Sequence, residues 1–231
     1  SLQPFNISNL NEKPENFSTL RAYEHVKQIS KKPHYIGSEN HSVVRNYLIN
    51  ELEKLGLTVQ TQKGFSFSNR SLTLTIPENI IARIEGANQS DDALLLLSHY
   101  DSAVHSSYGA SDAASGVATI LETLRAYKEK GKKPKNDIII LFSDGEEVGL
   151  NGAQLFADKH PWAEDVKLVL NFEARGSGGP SNMIIETNYG NKNLISNFSN
   201  AKPEFPVASS LMYNIYKLLP NDTDSTVFRE E

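Results

Sequence analysis

Three short apolar runs constrain this chain more than any other feature. They are "ALLLLSH" (93–99), "IIILFSD" (138–144) and "LVLNFEA" (168–174). Runs of this kind read as strands buried on both faces of a sheet. Each stops on groups that a core rejects unless they are paired. The first ends in His99 and Asp101, the second in Asp144, Glu146 and Glu147, the third in Glu173. The adjacent Glu146 and Glu147 repel each other at neutral pH. One such ending suits a surface loop. Three of them, with no comparable cluster elsewhere, point to a shared site.

The surrounding pattern supplies the architecture. "FSTLRAYEHVKQIS" has helical spacing, and "SENHSVVRNYLINELEKLGL" places Val44, Leu48, Leu52 and Leu55 on one helical face, with Gly56 set to stop it. "TVQTQKGF", "SLTLTIP" and "NIIARIEG" read as strands. Val117, Ile120, Leu121 and Leu124 mark a helix between the first two apolar runs, and "LNGAQLFADKH" a short one after the second. "SNMIIETN" reads as a further strand. Strands alternating with helices imply a three-layer α/β/α sandwich with a mostly parallel, mixed central sheet. Residues 1–17 are polar and carry Pro4 and Pro14, as an N-terminal arm would; 18–231 form the domain. In such sheets ligands gather beyond the carboxyl ends of the strands, where the three acidic endings lie.

Composition removes several alternatives. The net charge of -5 and the scattered basic pairs exclude a nucleic-acid surface. There is no cysteine, hence no disulfide and no thiolate metal site. No apolar run is long enough to span a bilayer. Seven N-x-[ST] sequons, at Asn6, Asn16, Asn40, Asn69, Asn88, Asn197 and Asn221, fit a secretory route.

Imidazole and carboxylates without thiolate suit zinc, or a related ion such as cobalt or manganese. Asp112, in "YGASDAASGVA" before a helix, could bridge two ions through its two oxygens. Of Glu146 and Glu147, one could bind an ion while the other serves as general base, a role worth about 10²–10⁴-fold. Two ions about 3.5–4 Å apart would activate water and stabilise an oxyanion. Asp101, two residues past His99, is placed to accept the other imidazole N–H.

The ordered motifs "SHYDS", "GASDAASGVATILE", "FSDGEEVGLNGA" and "NFEARGSGG" resemble those of the co-catalytic di-zinc aminopeptidases. That family includes bacterial leucyl aminopeptidases, membrane-anchored metallopeptidases of the endoplasmic reticulum and vacuole, and, more distantly, glutamate carboxypeptidase. The resemblance covers residues 20–190 and is nearest the membrane-anchored branch, since "NFEARGSGGP" has Glu where the leucyl enzymes often have Asp. It implies that His99 and Glu173 bind one zinc and Glu147 the other, with Asp112 bridging. Glu146 would be the general base and Asp101 the support of His99. It also implies a cis peptide after Asp112, a peptide or small amide as substrate, and an exported or lumenal domain of a membrane protein. The oligomeric state stays open.

The sequence departs from the family at one point. The family's second zinc takes a His from a "YHT"-like loop that follows a "TDSTVF"-like stretch, and this chain has no His after His160. The expectation is therefore a domain short of its C-terminal part, with one zinc or none and negligible activity, against two ions in the full-length protein. The same scaffold also carries carboxypeptidases, glutaminyl cyclases and non-catalytic ectodomains such as that of the transferrin receptor. Cyclases lack the first His, so "SHYDS" argues against them. Every ligand position within the chain is intact, which argues against a degenerate ectodomain.

Other singled-out residues have plainer readings. His105 lies near the cluster but suits a solvated loop. His25, His34 and His41 suit helix packing. Asp144 suits a turn before Gly145, set slightly ahead of a helper role near the site, "GSGGP" suits a flexible turn, and Trp162 a helix end packed on the sheet.

Overall fold

The computed structural model describes residues 7–88, 92–105, 107–174, 191–202 and 222–230, with the isolated positions 176, 178, 183, 184 and 218. Helix α1 (Thr19–Ile29) begins at Ser18, whose hydroxyl accepts the Arg21 N–H at 3.2 Å and caps the first turn. Helix α2 (Glu39–Lys54) buries Val44, Leu48 and Leu52 on one face and gives way to Gly56 at φ 77. Strands β1 (Val59–Lys63), β2 (Ser66–Ser68), β3 (Thr73–Thr75), β4 (Glu78–Ile84) and β5 (Ala93–His99) follow. A π-helical turn (Ala110–Ala114) leads into α3 (Ser115–Glu129), then β6 (Asp137–Ser143) and α4 (Asn151–Lys159). Last come β7 (Val166–Asn171), α5 (Lys192–Ala201) and α6 (Asp224–Glu230).

Five strands form the central sheet in the order β1-β4-β6-β5-β7. β5 is parallel to both β6 and β7, while β4 is antiparallel to β6 and to β1. Four of the five strands therefore run the same way, in the mostly parallel mixed sheet expected. Alternate residues feed two apolar layers. Leu96, Ile140 and Phe142 face α2 and α3, packing with Leu48, Leu52, Val117, Ile120 and Leu121. Leu95, Leu97, Ile139 and Leu141 face the other way, with Phe156 of α4. Each such aliphatic side chain contributes roughly 1.5–3 kcal/mol by leaving water.

One expectation needs correction. β7 is not buried like β5 and β6. Among the described residues it pairs on one side only, and Leu168 and Leu170 remain 39% and 37% exposed. "SLTLTIP" contributes a strand as expected, β3, which pairs with β2 in a separate two-stranded sheet. The strand expected over 181–188 lies outside the described residues, apart from the isolated positions 183 and 184, as does most of "GSGGP".

The end of the N-terminal segment is tied down. Arg21 donates to the carbonyls of Leu10, Glu12 and Asn16, and Arg125 to those of Pro14 and Asn16. Both guanidinium groups also bond Glu122, whose side chain is fully buried.

The layers meet closely where the site begins. A Cβ on Gly116, at the start of α3, would lie 2.5 Å from both the Phe172 carbonyl oxygen and Ser98 Oγ. Gly116→Ala is expected to cost about 1–3 kcal/mol through overpacking. The thermal midpoint should fall by roughly 2–4 °C per kcal/mol. Calorimetry checks this, and an unchanged midpoint would mean that the strand ends have slack.

Candidate metal centre

Register builds the centre. His99 stands opposite Ser143 across the β5–β6 ladder, and Leu97 opposite Asn171 across β5–β7. The residues just past these strands thus emerge at one sheet edge. His99 is 1% exposed. Its Nδ1 lies 3.0 Å from the Asp101 carbonyl oxygen, and its Nε2 lies 2.9 Å from Asp112 Oδ1 and 3.5 Å from Glu173 Oε1. His99, Asp112 and Glu147 each bring a ligand atom within 4.8 Å of the others.

Asp101 was expected to accept the Nδ1 proton. It does so first through its backbone carbonyl, with its carboxylate Oδ1 at 3.4 Å. That carboxylate also accepts the backbone N–H groups of Glu146 (3.1 Å) and Glu147 (3.3 Å). The peptide between Asp112 and Ala113 is cis, as the resemblance implied.

Asp224, at the start of α6, joins the centre although it was not among the site residues expected from the sequence. It is fully buried, and its carboxylate accepts a hydrogen bond from Ser143 Oγ. The sequence offered only "TDSTVF", read as a marker for a later loop; no strand-end pattern flags this acid. Asp144 needs a second correction. It is a buried partner rather than a turn former: His41 Nε2 approaches it at 2.8 Å, and its other oxygen accepts the Glu78 N–H at 2.8 Å. The turn belongs to Gly145, at φ 72. His41 is thereby used in packing, stacked on Tyr100. His25 meets the Tyr47 hydroxyl at 2.7 Å, and the buried His34 donates its backbone N–H to Ser102 Oγ. His105 is exposed and outside the ligand group. Trp162 packs against the sheet beneath the Arg83 guanidinium.

The electrostatics fit a cation. Burial and the carboxylates of Asp224, Glu173 and Asp101 push Glu146 up to about 9, against the pull of His99. Burial and the neighbouring acids hold Glu147 at about 7, and likewise Asp224 at about 7. Burial disfavours charge on His99, yet Asp101, Asp112 and Glu173 outweigh it and hold the imidazole well above its ordinary value. Among the described residues, Glu173 Oε2 and Asp224 Oδ1 are buried with no hydrogen-bond partner. Orphaned acceptors beside an imidazole and other carboxylates make a donor set suited to a divalent ion of the zinc type. His99, Asp112, Glu147 and Glu173 are the side chains that could hold it.

Comparison with known proteins gives the following. The model of a family described as Peptidase family M28 matches residues 79–231. A vacuolar membrane protease of Candida tropicalis is 32% identical over 221 residues, covering 89% of this chain and 23% of that protein. One from Schizosaccharomyces japonicus is 33% identical, covering 92% and 26%. The chain thus spans about a quarter of the length of these relatives. Among solved structures, a glutaminyl cyclase of Porphyromonas gingivalis superposes with a TM-score of 0.71 at 23% identity, covering 93% of this chain and 79% of that one. A Zn-dependent exopeptidase of Parabacteroides distasonis superposes with a TM-score of 0.68 at 22% identity, covering 94% and 81%. At these identities the superpositions bear on the fold alone.

The raised values fix a pH dependence. A carboxyl raised in the folded state stabilises below its unfolded pKa and loses that contribution as pH rises through the folded value. Glu146, Glu147, Asp224 and the raised His99 all act with this sign. His25, His34 and His160 are lowered, mainly by burial, and act oppositely, but only below about pH 6.5. Glu147 and Asp224 lose their contributions by about pH 7, where the lowered histidines oppose them. The metal-free chain should therefore lose thermal stability most plainly between about pH 7 and 9, through Glu146 and His99. Glu146→Gln should flatten the slope and zinc should abolish it. A calorimetric series reads this, and equal slopes in wild type and variant would refute it.

Proposed function

Since this chain belongs to peptidase family M28, we propose that its strand-end cluster is the catalytic centre of a metal-dependent exopeptidase that removes N-terminal residues from peptides. One observation carries the reading: Asp112 and Glu173 converge on His99 Nε2 while, among the described residues, buried oxygens of Glu173 and Asp224 stand without donors. His99 and Glu173 would hold one zinc, Glu147 the other, and Asp112 would lie between them. A divalent ion so bound supplies Lewis acidity, polarising the scissile carbonyl and acidifying water.

The remaining work falls to this chain's own groups. Asp101 fixes the His99 ring and, through the amides of Glu146 and Glu147, the loop carrying both acids. Glu146 is the general base: its carboxylate takes a proton from the attacking water and passes it to the leaving amine. With its neighbours' charge neutralised, the repulsion that helps keep Glu146 protonated is relieved. The clustered acids also suit the cationic amino end of a peptide, which favours an exopeptidase. The names of the membrane-protein relatives and the exposed sequons at Asn16, Asn69, Asn88 and Asn197 support a lumenal or extracellular domain of a membrane-bound protease. No helix among the described residues is long and apolar enough to cross a membrane.

Two measurements test the reading. In the full-length protein, release of the first residue from peptides with free, but not acetylated, N-termini should depend on zinc. In that same full-length protein, Glu146→Gln should lower kcat by about 10²-fold or more while zinc affinity changes little. Retention of more than about a tenth of kcat would assign the base elsewhere. Cyclisation of N-terminal glutamine without hydrolysis would replace the peptidase reading. Calorimetric zinc titration of this chain should give at most one tight site, because His99 is the single imidazole in the cluster. Two tight sites would show that a further ligand, with His105 the first to replace, is already present.

A further inference from the structure

The β2–β3 hairpin is built inside out. Ser66 and Ser68 are each 5% exposed, while Phe65, Phe67, Leu72, Leu74 and Ile76 are 65%, 49%, 77%, 64% and 46% exposed. Phe67 and Leu74 are direct cross-strand partners on the outer face. The inner face is committed: Ser71 Oγ and Thr73 Oγ1 each donate to the Val148 carbonyl at 2.8 Å, and Asn151 Nδ2 donates to the Ser66 carbonyl at 3.0 Å. An outward apolar face of this extent requires a cover.

The turn of the same hairpin carries a sequon. Asn69-Arg70-Ser71 lies between β2 and β3, Asn69 is exposed, and its amide makes no hydrogen bond among the described residues. Of the chain's seven sequons, Asn69 alone has an aromatic residue two positions earlier, Phe67. Asn69 is the first residue past β2, and the exposed Phe67 ring lies two positions before it, within reach of a group on Asn69 that folds back over the strand. The other sequons differ. Asn16 bonds Glu12 and accepts from both Arg21 and Arg125, and Asn197 lies within α5.

We propose that Asn69 is an N-glycosylation site whose first sugar lies on Phe67 and covers the apolar face of the hairpin. The C–H face of a pyranose is apolar and packs on an aromatic ring, while its hydroxyls stay in water. The transfer is a substitution at the anomeric carbon. Asn69 Nδ2 forms the N–C bond, the C–O bond to the pyrophosphate of a lipid-linked oligosaccharide breaks, and the amide proton leaves with the pyrophosphate. That donor and its transferase belong to the secretory route, so the proposal rests on the lumenal reading above.

The test uses the protein isolated from its own cells, with the Asn69→Gln and Phe67→Ser variants expressed in the same cells. Peptide mapping after enzymatic deglycosylation should find Asn69 occupied, and Asn69→Gln should remove one glycan by gel mobility. Deglycosylation should lower the thermal midpoint of the wild type by about 2–4 °C. In Phe67→Ser, which alters an exposed side chain, that decrement should vanish. Glycans at Asn16 or Asn197 with Asn69 bare would overturn the proposal and leave the lumenal reading standing. No glycan at any sequon would overturn both. An occupied Asn69 whose glycan changes the midpoint equally in wild type and Phe67→Ser would overturn the stacking. So would a chain bearing bare Asn69 that pellets with phosphatidylserine vesicles or dimerises through this face, because another partner would then be its cover.

Discussion

Asp101 is the residue on which the site depends. A carboxylate at 1% exposure has to find donors or lose its charge, and it finds them in the backbone amides of Glu146 and Glu147. Its carbonyl takes the other end of the arrangement by receiving His99 Nδ1. Asp101, two residues past β5, therefore fixes both the imidazole at the end of its own strand and the acidic loop after the neighbouring strand. The loop cannot move away without stranding a buried charge, and the imidazole cannot rotate without losing its acceptor.

The rest of that loop is fastened from two more sides. Asp144 is held by His41 and by the Glu78 amide, and Val148 by the hydroxyls of Ser71 and Thr73. Gly149, at φ 145, permits the second contact, since a Cβ there would lie 2.0 Å from Ser71 Oγ. Such fastening lets the chain keep Glu146 and Glu147 adjacent and close to Asp112, Glu173 and Asp224. The repulsion is not relaxed by movement. Burial first, and the repulsion with it, appear instead as raised proton affinity, which a cation can exchange for binding.

The family match begins at residue 79, so α1, α2 and the hairpin precede it. These elements nonetheless supply His41 and the clamp on Val148. The relatives align over 89% and 92% of this chain, so most of that leading part has counterparts in them. Cyclase and exopeptidase share this fold, and the scaffold therefore does not choose the chemistry. The choice rests with the side chains gathered at the sheet edge.

Much of this was legible along the chain. Apolar runs ending on His99, Glu146, Glu147 and Glu173 mark both the strands and the edge where they finish, because core and ligand residues differ sharply in their cost of burial. Helical spacing placed Val44, Leu48 and Leu52 correctly. Other features depended on pairings between distant segments, which no local pattern encodes. Asp224 enters the centre through Ser143, and Asp144 leaves the turn for His41. β7 takes a place in the sheet that leaves Leu168 and Leu170 partly exposed. The hairpin shows the limit most clearly. The alternation in "SFSNRSLTLT" says that the ribbon has two unlike faces, but a period of two is the same whichever face turns inward. Only the tertiary structure chose the polar one, because the Val148 carbonyl beneath it needed donors.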